Sequence, residues 1–95
     1  MPGVENRVVD EATSLEKLAA VVEERAERVL RNAELARQEA AHAGAEDSRA
    51  RDLHLWEADA HERSAKLLER TAALYRSRAR DLRAQRPSHH ASPSG

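Results

Sequence analysis

Cysteine, phenylalanine and isoleucine are all absent from this 95-residue chain. Without cysteine there is no disulfide and no thiolate metal centre. The aromatic residues are Trp56 and Tyr75 alone, and ten Leu and six Val stand against nineteen Ala. That is too little bulk for a thick globular core, and it matches the composition of long helices with a narrow seam. No apolar run approaches the ~18 residues that a membrane-spanning helix requires. The opening MPGVENRVVDEA has neither the basic start nor the apolar stretch of a secretory signal. A cytoplasmic protein without a membrane segment is the expectation. Sixteen basic and seventeen acidic residues nearly cancel, so no global charge draws the chain to nucleic acid or to an anionic membrane.

Proline is missing between Pro2 and Pro87, and Gly44 is the only glycine between Gly3 and Gly95. Strand formers are sparse as well, whereas Ala, Leu, Arg and Glu, which favour helix, dominate. The pattern predicts one all-α unit over 8–85, with helices at about 8–43 and 47–85 and a turn near 44–47. Residues 1–7 are expected to fray. The tail RPSHHASPSG, 86–95, has nothing to bury and is expected to be disordered, His89 and His90 included. Candidate N-caps are Asn6, Asp10 or a Thr13/Glu16 capping box for the first helix, and Asp47 or Ser48 for the second. Gly44 is the candidate residue past the first helix's C-terminus.

What the chain has in quantity is alanine at a fixed spacing. Ala12, Ala19, Ala26, Ala33 and Ala40 are seven apart, as are Ala58, Ala65, Ala72 and Ala79. Taking these as heptad position a, position d holds Leu15, Val22, Val29, Ala36 and Ala43 in the first helix. In the second it holds His54, His61, Leu68, Tyr75 and Leu82. The phase breaks around Gly44. If the chain turns back there, so that facing residues have numbers summing to 94, six successive layers oppose an alanine to a larger residue. They run from Ala12 with Leu82 to Val29 with Ala65. Alanine lets two backbones approach while the partner's side chain fills the gap. The alternative is one continuous helix in a parallel coiled coil, with Gly44 tolerated and the phase slip a stutter.

The apolar surface exceeds what one seam uses. Leu53, Ala60, Leu67 and Leu74 form a further line at position c of the second helix. Val21 and Leu35 occupy c in the first, with Leu18 at g. Trp56 falls at f, beside that line. The second helix's apolar arc spans about 160° at ~100° per residue, more than one neighbour covers. These residues are the candidate partner-binding surface, filled by a second copy to give a four-helix bundle or by a helical segment of another protein.

Two other groups are candidates for chemistry. Arg76, Arg78, Arg80, Arg83 and Arg86 could grip phosphates. They equally complement a helix C-terminus and the acidic residues Glu5, Asp10, Glu11 and Glu16 that a hairpin brings beside them. Near the turn lie Glu39, His42, His54, Glu57 and His61. Glu39 and His42 have the i, i+3 spacing of carboxylate-bundle metal sites, although seam or surface histidines explain the same residues. On the helix surface, Glu24 with Arg28 and Glu62 with Lys66 are i, i+4 pairs. No Gly-rich phosphate loop, nucleophile elbow or acid–base pair is present, so neither catalysis nor a cofactor is expected.

The stretch AHERSAKLLERTAALYRSRA, residues 60–79, resembles the Ala/Arg-rich H-E-R-A-A-x-L-x-E-R repeats of short, uncharacterised helical proteins of actinobacteria. That resemblance implies helix and brings no site residue. The alanine-heptad hairpin is also similar in architecture to the Rop-type plasmid regulators, which are dimers of hairpins; this implies the bundle and nothing about activity.

Overall fold

The turn is where the fold is decided. In a computed structural model, which describes residues 2–85, Gly44 has φ 60° and ψ −161° and is the only residue described with positive φ. Helix α1 runs Pro2–Ala43 and α2 runs Ser48–Ala84, joined by Gly44 and a 3₁₀ turn, Ala45–Asp47. The Gly44 N–H still reaches the Ala40 carbonyl at 3.3 Å, which closes the last turn of α1. Asp47 then caps α2, its Oδ1 accepting from the Ala50 N–H at 3.0 Å. An acceptor there satisfies one of the orphan amides of the first turn. The chain is therefore a helical hairpin and not one continuous helix. No strand occurs among the described residues, and none of the helices described is long and apolar enough to cross a membrane.

The start of α1 differs from the sequence expectation. The helix begins at Pro2, not near residue 8, because proline suits the first helical position and no breaker follows Gly3 until Gly44. Asn6, Asp10 and Thr13 are therefore interior residues, not caps. Thr13 and Glu16 serve the other helix instead: the Arg83 guanidinium donates to Thr13 Oγ1 at 3.5 Å and to Glu16 Oε1 at 3.1 Å. Residues 86–95 lie outside the described part.

The seam follows the heptad lines. The buried residues are the nine alanines at position a, together with Ala36 and Leu82. Ala12, Ala79 and Leu82 cluster with Leu15 and Val8 packed on them, and Ala33, Ala36 and Ala58 form a second cluster. Both clusters agree with layers whose numbers sum to 94. The larger d residues Val22, Val29, Leu68 and Tyr75 are half-buried, because a two-helix rod covers each on one side only. Its extents, 75 × 22 × 12 Å, describe a single layer of two helices. Such a layer has no interior beyond the seam, and none of the large side chains described is fully buried.

Candidate interaction face

The two flanks of the seam have opposite character. Along one, position e of α1 meets position e of α2. Glu16 pairs with Arg83, Glu23 with Arg76, and Arg37 with Glu62. The numbers of each pair sum to 99, and the fourth rung holds Leu30 and Glu69. Arg76 and Arg83 each engage their glutamate with two guanidinium nitrogens. The charge order reverses along the ladder. Glutamates stand on α1 at the open end and an arginine near the turn, which ties the antiparallel register to charge.

The hydrogen bonds from Arg76 hold the Glu23 carboxyl below the usual carboxylate range, and Glu23 in turn raises Arg76. A carboxyl depressed in the folded state contributes stability that is present above its unfolded value, near 4 for glutamate, and is lost as pH falls through the folded value. Glu23→Gln is therefore expected to flatten the acid limb of the melting temperature between about pH 5 and pH 3. An acid limb identical to that of the parent would show that this rung does not couple to folding.

With the e positions on one flank, the g positions of both helices lie on the other, and the c lines lie just beyond them. The leucine line of α2 and the Val21/Leu35 line of α1 thus share one face. By the register, Val21 is level with Leu74, and Leu35 with Ala60. The large side chains on this face are exposed, Leu67 to 61% and Leu74 to 70%, with Leu18, Val21, Leu35 and Leu53 close behind. Ala60 is half-buried. Toward the open end the face hollows into a groove of about 670 Å³, floored by Leu15, Leu18 and Leu82, with Arg7, Glu11 and Arg78 among its rim residues. Trp56, 63% exposed, stands beside Leu53 and Ala60 at the edge of the face. Leu30 and Leu55 are also exposed but belong to the ion-paired flank. The sequence pattern does not single these two out, because each is alone on its line.

The other candidate residues are placed as follows. Of the arginine cluster, Arg76 and Arg83 are engaged in the ladder, Arg78 borders the groove, Arg80 is exposed, and Arg86 lies outside the described residues. Their acidic partners are Glu16 and Glu23, not Asp10 or Glu11; the side chain of Glu5 lies outside the described part. Glu62 likewise bonds Arg37 across the seam and not Lys66, while the Glu24–Arg28 pair forms at 3.4 Å.

Near the turn, His54 Nδ1 donates to Glu57 at 3.0 Å and lies 4.0 Å from Glu39. His42 Nδ1 instead donates to the Gln38 carbonyl one helical turn back, at 2.7 Å. His61 is half-buried in the layer of Ala33. The fold thus gathers Glu39, His54 and Glu57. Among the described residues, however, no three histidine or carboxylate side chains have the arrangement that would hold a metal ion.

No protein-family model, no curated protein and no solved structure matches this chain.

Proposed function

We propose that the chain is a non-catalytic interaction module of the cytoplasm whose working surface is the c/g face, and whose partner is a second copy closing a four-helix bundle. One observation carries this reading: an isolated hairpin leaves Leu53, Leu67, Leu74, Val21 and Leu35 exposed together on one face. Contiguous apolar surface of this kind marks interaction sites on soluble proteins. A second copy is the commonest way to cover it. The alanine seam supports the same reading, since it buries mostly methyl groups and leaves the larger hydrophobic gain unclaimed. The non-catalytic part rests on surroundings. Among the described residues no polar or charged side chain is buried, so none has the desolvated setting that tunes a catalytic group.

Light scattering over a concentration series tests the reading. The expected mass is twice the 10.6 kDa of the chain. Leu67→Glu would place a carboxylate in the middle of the covered face on both copies. It is expected to raise the dimer dissociation constant at least about 100-fold while leaving helix content unchanged. A parent chain that stays at monomer mass up to high concentration would overturn self-association.

A further inference from the structure

We infer that the two copies pack with their turns at opposite ends, each copy's Arg25 lying against the other's Glu39 and Glu57; this rests on the self-association just proposed. The apolar face carries charge that its own hairpin leaves uncompensated. Glu39 and Glu57 both stand at g, on the same flank near the turn, and they share one imidazole nitrogen. His54 Nδ1 is 3.0 Å from Glu57 and 4.0 Å from Glu39. Two carboxylates thus converge on one neutral or singly charged ring. Arg25 also stands at g on this flank, further toward the open end. It forms no ion pair among the described residues. The residues three and four positions away are Val21, Val22, Arg28 and Val29, and the g residue across the seam is Thr71, so its own hairpin offers that guanidinium no carboxylate.

The apolar line of α2 admits one self-matching arrangement with a second copy. Stacking α2 on its symmetry mate in the opposite direction pairs Leu53, Ala60, Leu67 and Leu74 with the same line of the other copy. When facing numbers sum to 127, all four positions find a partner. Leu53 meets Leu74, and Ala60 meets Leu67, repeating the small-against-large alternation of the seam. A shift of one heptad either way strands one end of the line.

This register follows from the leucines alone, yet it also brings Arg25, Glu39 and Glu57 together across the two copies. Glu57 of one copy comes level with position 70 of the partner's α2. Through the seam register, that is level with position 24 of the partner's α1, one residue or about 1.5 Å from Arg25. Glu39 falls about 4.5 Å along the axis from the same guanidinium. The two-fold operation makes both contacts twice.

The competing arrangement, with both turns at one end, keeps equal positions at equal height. It would gather four carboxylates, Glu39 and Glu57 from each copy, and set Arg25 against Arg25. Like charges juxtaposed across an interface oppose association. Opposite ends is the arrangement in which the apolar line and the charges agree.

The chain's lack of cysteine makes the test direct. Arg49 and Ser77 both lie at f on α2, outside the leucine line and near opposite ends of the helix. Single variants Arg49→Cys and Ser77→Cys, each spin-labelled, are measured by pulsed dipolar spectroscopy alone and mixed. Opposite-end packing predicts about 40–45 Å or more within each single-label dimer, and a short distance, under about 30 Å, only in the mixed sample. Same-end packing reverses the pattern, and that result overturns the inference while leaving the dimer intact. A monomer mass in the same samples overturns the self-association beneath it.

Charge provides a second readout. Arg25→Glu is expected to weaken the dimer about tenfold or more, and Glu39→Arg in the same chain to recover most of that loss. An unchanged dissociation constant in Arg25→Glu would remove Arg25 from the interface.

Discussion

Ala65→Leu is expected to be among the most damaging single substitutions available in this chain. Ala65 is 1% exposed at the middle of α2, and the register places Val29 opposite it. The added carbons have no unfilled volume to enter, since the layer is already a methyl against a branched side chain. Either the side chain leaves its preferred rotamer or the two backbones move apart, which loosens the neighbouring layers at Ala58 and Ala72. Overpacking of this kind costs about 1–3 kcal/mol, and at about 4–8 °C per kcal/mol for a domain of this size the melting temperature should fall by roughly 5–20 °C. Thermal unfolding at fixed protein concentration reads the effect, because a self-associating chain melts in a concentration-dependent way. The exposed Ala73→Leu serves as the comparison. It adds the same volume with no opposing layer and should change the midpoint by only a few degrees. Equal losses at the two positions would mean that close approach of the backbones is not what the alanine line provides.

Gly44→Ala acts through the backbone alone. A Cβ there would meet nothing nearer than the His42 carbonyl oxygen, 4.0 Å away, so there is space for it. The obstacle is the conformation: φ 60° with ψ −161° is a region that only glycine enters at little cost, and other residues lose about 1–3 kcal/mol there. Alanine also favours a continuous helix by about 1 kcal/mol over glycine. Both effects disfavour the hairpin and favour an extended chain that pairs with other copies along its whole length. The expected outcome is a lower melting temperature together with a rise in solution radius of gyration above that of the parent chain measured at the same concentration. Small-angle scattering beside a melting curve would show both. An unchanged midpoint and radius would mean that the turn does not depend on the glycine conformation.

Ala65 and Gly44 are also the kind of position that is legible in the amino-acid sequence, because each is an extreme residue type in a regular setting. One is a small residue at a strict repeat; the other is the sole interruption of a long helical pattern. Together they define the seam, the point of reversal and the pairing of layers, and the c lines follow as surplus apolar surface.

The ion-pair ladder is less visible. An i, i+4 pair such as Glu62 with Lys66 shows along the chain. The partner that Glu62 takes, Arg37, is adjacent only once the two helices are aligned. The same alignment, carried from the seam to its flanking e positions, sets Glu16, Glu23 and Arg37 facing their partners. The helix start escapes sequence reading for a different reason. Thr13 and Glu16 have the spacing of a capping box, but they stand inside a helix and are used by Arg83. A local motif loses to a long-range partner.

The nested register also bears on how the chain reaches this form. Every seam contact joins a residue to one at a distance that grows steadily from the turn, short for Ala36 with Ala58 and longest for Ala12 with Leu82. The entropy lost in closing a loop rises with its length, though slowly, so closure starts most cheaply at Gly44 and proceeds outward like a zip. The outermost layers close last and open first. That end is also where Arg83 binds Glu16 and Thr13 together, so the ladder ends in a clasp where the zip is most apt to part.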